Sequence, residues 1–227
     1  MIKLYGVPMS RASRCLWMLE ELGVPYENVP TSFVGDAQKP DYRKLNPNGR
    51  IPTLDDDGTV VWESMAINLH LAEKYDKGLR PRSLEERAHV VQWSFWGMTE
   101  IEPGLIDALF HRVMAPEGQR NQAVADAGEQ KIQRPLAVLD QELAKRRFLL
   151  GDRFTLADLN VASVLVIAPL ARIDLASIRT CSAGSPPARI APPRRRRSGA
   201  PDSSRRCGPQ RMGVQARRFK SPRPLRR

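Results

Sequence analysis

The spacing of apolar residues changes twice along this 227-residue chain, and those changes constrain its fold more than any other feature. Up to about residue 77, apolar residues form short clusters separated by turn-forming sequences. From about residue 84 they recur at helical spacing over long stretches, and from about residue 176 the pattern disappears. The sequence therefore predicts a small α/β domain, an all-helical domain, and a terminal segment that cannot bury a core.

Charge separates that terminal segment from the rest of the chain. Residues 1–175 contain 21 Lys and Arg against 24 Asp and Glu, whereas residues 176–227 contain 15 against 1. The formal net charge of +11 therefore does not indicate that the folded part binds nucleic acid. The segment is rich in Arg and Pro, and we expect a disordered basic tail. Phe219 is its one aromatic residue, so stacking on nucleic-acid bases is not expected, and a segment without a binding role is favoured. The alternative is an arm that binds nucleic acid or an acidic surface.

The first 77 residues predict the order β-α-β-α-β-β-α. Helical spacing of Cys15 with later apolar residues predicts a helix that starts near Ser10 and stops at Gly23. The Asp-Asp-Asp-Gly sequence at 55–58 predicts a hairpin turn, and Ser64 is expected to cap the next helix. The predicted strands are residues 2–5, 26–33, 51–54 and 60–62, and a short helical or irregular segment is expected over 39–45.

The helical half is predicted to follow a linker over residues 76–83. Long helices are expected over 84–114 and 121–147, with Pro103 and Pro135 as positions for kinks. The sequence from Thr155 to Asp158 predicts an N-terminal capping box for a buried helix over 159–170. The expected divisions are therefore 1–77, 84–175 and the tail, 176–227.

Three segments of the first half, taken together, are similar to one protein family. They are residues 3–10 (KLYGVPMS), 46–54 (NPNGRIPTL) and 63–67 (ESMAI). With the capping box in a helical region, they resemble the cytosolic glutathione S-transferases over about residues 1–175. The resemblance implies a thioredoxin-like amino-terminal domain that binds glutathione, followed by a helical-bundle carboxy-terminal domain.

The family's chemistry requires a glutathione sulfur that is ionised. The thiolate is the nucleophile, and free thiols ionise above neutral pH, so the site must stabilise the anion. Ser10 resembles the catalytic serine of serine-type members, although residue type alone would favour an ordinary helix cap. Ser13 and then Tyr5 are the alternatives. Cys15 could form a mixed disulfide as in thiol-transferring relatives, but its helical spacing favours a buried position.

The resemblance also implies a set of glutathione-binding residues. Ile51-Pro52 looks like the family's cis-proline step, whose backbone would bond the cysteinyl part; in an unrelated chain, a trans proline opening an edge strand would be expected. Glu63 would meet the γ-glutamyl amino group and Ser64 its carboxylate, while two basic residues would meet the glycyl carboxylate. The full set is Lys39, Arg50, Ile51, Pro52, Glu63 and Ser64.

The function implied is a transferase that joins glutathione, as co-substrate, to a hydrophobic electrophile. One alternative is a non-catalytic glutathione-transferase-like binding module; another is a glutathione-dependent isomerase, peroxidase or dehalogenase. The combination of Ser10, Ile51-Pro52 and Glu63-Ser64 favours an enzyme, because a scaffold does not require them together. The resemblance places a second pocket near Trp93, Phe95 and Trp96 and implies a homodimer.

The sequence also predicts a cellular location and raises a question about the origin of the basic tail. The sequence shows no apolar leader and no membrane-spanning stretch, its three cysteines form no metal-ligand spacing, and their odd number suits a reducing compartment, so a cytoplasmic protein is expected. The resemblance implies a role in detoxification. Relatives continue with further helices where this chain has its basic tail. A shifted reading frame would produce that change, and resequencing the coding DNA tests this hypothesis.

Overall fold

The structure is a computed structural model that describes residues 1–175. The predicted basic tail, residues 176–227, lies outside the described residues. Within the described part, no helix is both long enough and apolar enough to cross a membrane.

The amino-terminal half contains a four-stranded mixed sheet. The strands are β1 Ile2–Tyr5, β2 Tyr26–Val29, β3 Thr53–Asp56 and β4 Thr59–Trp62. Their order in the sheet is β2-β1-β3-β4. β1 pairs in parallel with β2 and antiparallel with β3, which pairs antiparallel with β4. β2 is shorter than the predicted 26–33, because its partner β1 has only four residues and Pro30 has no N–H for a ladder.

The hairpin is shifted by two residues from its predicted position. Asp55 and Asp56 belong to β3, and the turn consists of Asp57 and Gly58, with φ of 53° and 89°. Two successive residues with positive φ suit a two-residue hairpin turn, whose twist matches that of the strands. The predicted four-residue turn was therefore wrong in its extent.

Helices cover both faces of the sheet. The alternation along β1 directs Ile2 and Leu4 into the main core, and Tyr5 into a smaller cluster on the other face. The helices of this half are α1 Ala12–Leu22, α2 Pro40–Leu45 and α3 Ser64–Tyr75. Gly23 ends α1 in the left-handed conformation, as predicted. This is the predicted thioredoxin-like arrangement.

The helical half begins with one long segment that contains two π-helical turns. The segment consists of α4 Leu84–Trp96, a π turn Gly97–Ile101, α5 Glu102–Leu109 and a second π turn Phe110–Met114. Pro103 lies in the first turn of α5, where its missing N–H is tolerated. The next helix, α6 Gln122–Lys145, continues through Pro135.

The last described helices are α7 Leu156–Leu165 and α8 Ile167–Leu170. The predicted helix over 159–170 therefore begins earlier and breaks at Val166, and Pro169 accounts for the break because it cannot donate to the carbonyl of Leu165. The capping box is present: the Asp158 carboxylate accepts the Thr155 N–H and hydroxyl, each at 2.8 Å. α7 packs against α1, α3 and α4, so it joins the two halves through one core.

Candidate functional site

The register of the sheet brings the predicted site residues to one end of the molecule. Tyr5, the last residue of β1, pairs with Thr53, the first residue of β3, and Thr53 pairs with Trp62, the last residue of β4. The turn after β1, the segment before β3 and the start of α3 therefore meet at the same edge. Ser10, Ile51-Pro52 and Glu63-Ser64 lie in those three places.

Ser10 lies in the turn between β1 and α1 and is half-buried. Its Oγ donates a hydrogen bond to the carbonyl oxygen of Val7 at 2.7 Å and accepts one from the N–H of Ala12 at 3.1 Å. The hydroxyl therefore satisfies the N–H of the first residue of α1 from the position before the cap, which is Arg11. It also lies at the positive end of that helix, where an anion is stabilised.

The two alternative hydroxyls lie in different surroundings. Ser13 is half-buried in the first turn of α1, and its hydroxyl has no hydrogen-bond partner among residues 1–175. The Tyr5 ring packs edge-on against Tyr42, with the ring centroids 6.0 Å apart. Cys15 is fully buried, and burial raises the pKa of its thiol, so the predicted buried position is confirmed.

Ile51-Pro52 forms a cis peptide bond directly beside the end of β1. A Cβ built on Gly6 would lie 3.7 Å from the Cβ of Ile51, so the two segments are in contact. No hydrogen bond within the described residues uses the backbone N–H or C=O of Ile51. These two groups can therefore pair with an extended peptide, as at the edge of a sheet.

The segment before Ile51 is held by buried side chains. The carbonyl oxygen of Arg50 accepts hydrogen bonds from the Tyr42 hydroxyl at 2.7 Å and from Asn46 Nδ2 at 2.8 Å. Both donors also contact Thr53 Oγ1, at 2.7 and 3.2 Å, so the segment is fixed to the start of β3. Such anchoring favours a preformed peptide-binding edge.

Of the two basic residues in the predicted set, Lys39 forms an ion pair and Arg50 does not. Lys39 Nζ lies 2.7 Å from an Asp36 carboxylate oxygen, and the hydrogen bond from Lys39 is the main reason that the pKa of Asp36 is lowered to about 2. The Arg50 side chain is exposed and has no partner within residues 1–175. Arg50 is therefore the readier partner for a carboxylate.

The start of α3 differs from its prediction in one respect. Ser64 is the first helical residue and not the cap; Glu63 occupies the cap position with φ of 71° and forms no side-chain hydrogen bond to the helix. Ser64 Oγ instead accepts a hydrogen bond from Arg14 Nη1 at 3.4 Å. The first amides of α3 therefore lack a side-chain cap, an arrangement suited to an anion.

The sequence analysis did not identify three charged residues at this edge, Arg11, Arg14 and Glu102. Glu102 Oε1, at the start of α5, accepts hydrogen bonds from Arg11 Nε at 2.7 Å and from Arg14 Nη2 at 2.6 Å. Burial alone would raise the pKa of Glu102, but the two guanidinium groups together lower it. The sequence offered one signal: a charged residue, Arg14, lies within the apolar helical pattern of α1, and another, Glu102, lies in α5. Pairing these residues, which are 88 positions apart, requires the tertiary structure.

Comparisons with known proteins agree with this architecture. The family model described as the glutathione S-transferase amino-terminal domain matches residues 1–73, and the model for the carboxy-terminal domain matches residues 101–177. Glutathione S-transferase 4 from Zea mays is 36% identical over 169 residues, covering 72% of this chain and 76% of that protein.

Two solved structures are similar in fold as well as sequence. A theta class glutathione S-transferase from Xanthomonas axonopodis pv. citri, with glutathione bound, is 34% identical with a TM-score of 0.67, covering 71% of this chain and 79% of that one. Glutathione S-transferase I from maize, in complex with an atrazine glutathione conjugate, is 34% identical with a TM-score of 0.71, covering 80% of this chain and 89% of that one. The sequence, the fold and these matches show that the chain belongs to the glutathione S-transferase family.

Proposed function

We propose that this chain joins the thiolate of glutathione to a hydrophobic electrophile. The observation that carries the proposal is the meeting of an uncapped helix start at Ser64, the unpaired backbone of Ile51 and the Ser10 turn at one edge of the sheet. Each of these features suits a different part of glutathione. The similarity to the Xanthomonas structure, which holds glutathione, supports the same ligand here.

The γ-glutamyl end fits the start of α3. Its carboxylate would accept hydrogen bonds from the Ser64 hydroxyl and from the helix's first amides, where the helix dipole also favours negative charge. Glu63 is exposed and lies immediately before the helix, so its carboxylate can accept a hydrogen bond from the γ-glutamyl ammonium group. Glu63, Ser64 and the first amides of α3 would thus recognise both charges of the γ-glutamyl end.

The cysteinyl and glycyl parts extend along the segment before β3. The free N–H and C=O of Ile51 would pair with the cysteinyl backbone. Pro52 fixes the direction of this chain's backbone directly after Ile51. Arg50, whose side chain is unpaired within the described residues, would meet the glycyl carboxylate. Lys39 would have to share its ammonium group with Asp36, so we expect a smaller contribution from it.

The sulfur would then lie near the start of α1. The Ser10 hydroxyl donates to Val7, and turning its hydrogen toward the sulfur exchanges that bond for one to an anion. A neutral hydrogen bond contributes about 0.5–1.5 kcal/mol and one to a charged group about 1.5–3 kcal/mol, so the exchange favours the thiolate. The half-charge at the helix start adds to this stabilisation.

A hydrophobic electrophile fits the apolar surface beside Glu102. Ile106 and Phe110 follow Glu102 at i+4 and i+8, and they are 36% and 43% exposed. Met9, beside Ser10, is 85% exposed. Trp93 and Trp96 instead pack edge-on with ring centroids 4.9 Å apart, and Trp93 is buried in the core, so the pocket is better assigned to the α5 face than to these aromatic residues.

Retention on immobilised glutathione, followed by turnover of 1-chloro-2,4-dinitrobenzene, tests the proposal. Wild-type protein should be retained, should be eluted by free glutathione and should form the conjugate, whereas Ser64→Ala should elute earlier. Glu117→Gln, an exposed change in the 3₁₀ turn Glu117–Gln119, is the matched control and should behave as wild type. Folded wild-type protein that neither binds the resin nor forms conjugate would refute the proposal.

A glutathione-binding module without turnover is the second candidate. It is favoured by one observation, that both hydrogen bonds of the Ser10 hydroxyl go to local backbone groups, the Val7 carbonyl oxygen and the Ala12 N–H. Such a module would be retained on the resin, but it would not accelerate conjugation above the rate in solution. The same experiment therefore separates the two functions.

The proposal extends to the oligomeric state, for which exposed apolar side chains suggest a homodimer. Val60 and Trp62 on the edge strand β4 are 38% and 41% exposed, and Phe95 on α4 is 66% exposed, which suits burial in a homodimer. Sedimentation equilibrium would give a mass near twice that of the chain.

We further infer a cytoplasmic detoxification role from the family and the free Cys15 thiol. Cell fractionation tests the location, and the sensitivity of a deletion strain to electrophiles tests the role.

A further inference from the structure

The helical half contains a groove whose lining residues are all polar or charged. Its volume is about 600 Å³, which is in the range of pockets that hold small molecules. The lining residues are His111, Arg112, Arg120, Gln122, Glu129 and Arg172. None of them is among the residues assigned to glutathione or to the electrophile, and the polar lining suits a polar ligand rather than a hydrophobic one.

Arg112 forms the fixed part of this groove. Its Nη2 donates hydrogen bonds to Asp126 Oδ1 at 2.8 Å and to Glu129 Oε2 at 2.5 Å, and its Nη1 donates to the carbonyl oxygen of Ala171 at 3.3 Å. The side chain is only 11% exposed. Because Arg112 engages both carboxylates, they are already neutralised in part before any ligand arrives.

Arg120 is held by neutral groups. Its Nε donates to the carbonyl oxygen of Ala115 at 3.0 Å, and its Nη2 donates to that of Val113 at 3.2 Å. No carboxylate pairs with Arg120 among residues 1–175, and its Nη1 has no partner in that part of the chain. The two carbonyl oxygens therefore fix the guanidinium group without cancelling its charge.

Arg172 occupies a backbone position that favours glycine. It follows α8 with φ of 59°, in the left-handed region, and the hydrogen bond from the Ile173 N–H to the carbonyl oxygen of Ala168 at 2.9 Å closes the turn around it. The Arg172 side chain is exposed and has no partner within the described residues. The backbone gives no reason for an arginine here, whereas the groove does.

The convergence of Arg120 and Arg172 distinguishes this groove from ordinary surface. A single exposed arginine without a carboxylate partner is common, and Arg134 on α6 is an example within residues 1–175. Two such groups on one concave surface repel each other unless an anion joins them. The planar guanidinium fork matches the oxygen atoms of a phosphate or carboxylate.

We propose that this groove binds a small polar ligand through a phosphate or carboxylate group held between Arg120 and Arg172. The inference does not depend on the proposed function, because the two sites share no residue. Isothermal titration of the full chain with sodium phosphate and, separately, with sodium citrate tests it and distinguishes the two anionic groups. Sodium chloride at equal ionic strength is the salt control.

Wild-type protein should bind at least one of these anions at a single saturable site, with a Kd of about 1 mM or lower. Arg120→Gln should weaken that binding about tenfold or more, because it removes a charged donor. Arg134→Gln, which removes an exposed arginine outside the groove, is the matched control and should bind as wild type does.

Arg172→Gly separates binding from folding. Glycine suits the left-handed backbone, so thermal unfolding should occur at the same temperature as in wild type or a higher one. The affinity for the anion should nevertheless fall about tenfold or more. A purely structural role for Arg172 predicts the opposite pair of results, with lower stability and unchanged binding.

The outcomes decide the inference without reference to glutathione. Binding that both groove variants lose and Arg134→Gln keeps supports it. Wild-type protein that binds neither anion beyond the effect of sodium chloride would overturn it. Binding that the groove variants retain, as association with the basic residues 176–227 would produce, or that Arg134→Gln loses equally, would overturn it as well.

Discussion

Gly104 on α5 and Gly128 on α6 bring the backbones of these helices into direct contact. A Cβ built on Gly128 would lie 2.6 Å from the carbonyl oxygen of Gly104, and one built on Gly104 would meet the carbonyl oxygen of Gly128 in the same way. Real Cβ atoms do not approach a backbone oxygen so closely. The reciprocal pair therefore fixes the separation of the two helices and, with it, the position of Glu102 at the start of α5.

Replacing either glycine should destabilise the protein. We expect Gly104→Ala or Gly128→Ala to lower the free energy of unfolding by about 1–3 kcal/mol, because overpacking forces backbone shifts that outweigh alanine's better helix propensity. Urea denaturation measures the loss. Gly118→Ala, where an added Cβ meets no atom within 4 Å, is the control. Equal stability of all three variants would contradict the role given to the glycine pair.

Asp56 should make stability depend on pH in acid. Its buried carboxylate accepts hydrogen bonds from His70 Nε2 and the Tyr75 hydroxyl at 2.7 Å and pairs with Lys74 Nζ at 2.8 Å. Burial alone would raise the pKa of Asp56, but these donors lower it. The ionised Asp56 carboxylate therefore contributes its full stabilisation above the pKa of Asp in the unfolded chain, about 3.9. That stabilisation is lost as the pH falls through the lower pKa of Asp56 in the folded protein.

Asp56→Asn measures that contribution. The variant places an amide among three donors, and we expect it to lower the free energy of unfolding by about 1–3 kcal/mol at pH 7. Denaturation curves between pH 7 and acid should show the difference between wild type and variant shrinking below about pH 4. A difference that persists unchanged in acid would show that packing, not ionisation, is responsible.

Ser10→Ala should weaken thiolate stabilisation. Removing one donor to a developing or bound anion commonly costs about 10²–10³ in rate, so at least a tenfold loss in conjugation rate is expected. The pKa of enzyme-bound glutathione, followed by thiolate absorbance, should rise. The substitution also removes the hydrogen bond from the Ala12 N–H, which would lower the free energy of unfolding by about 0.5–1.5 kcal/mol. The pKa readout separates this loss of stability from a loss of catalysis.

Ser13→Ala serves as the comparison for Ser10. The Ser13 hydroxyl has no partner within residues 1–175, so its loss should change neither stability nor the thiol pKa if Ser10 is the catalytic group. The reverse result, with Ser13→Ala inactive and Ser10→Ala active, would transfer the role to Ser13.

Cys15 should resist modification in the folded protein. It is fully buried, its Sγ contacts the Ser64 carbonyl oxygen at 3.6 Å, and burial raises the pKa of the thiol. Iodoacetamide should label this position only after denaturation, as followed by peptide mass spectrometry that distinguishes it from Cys181 and Cys207. Rapid labelling of native protein at Cys15 would revive the mixed-disulfide alternative.

Local sequence patterns determined much of the fold. The helical spacing that includes Cys15, the stop at Gly23, and the cap formed by Thr155 and Asp158 all depend on residues within a few positions of one another, so sequence alone could predict them. The hairpin was predicted but its register was not. A run of three aspartates suits a turn equally well at several positions, and Asp56 enters the strand because His70 and Lys74, on α3, satisfy its charge.

By itself the sequence determined the order of elements, the family resemblance and the motifs that carry Ser10, Ile51-Pro52 and Glu63-Ser64. Tertiary structure alone decided that Ser64 faces Arg14 and that Glu102, from the other half of the chain, neutralises that arginine. The physical reason is the cost of burying charge. A charged side chain can be buried only where a partner is available, and that partner can come from any position in the sequence.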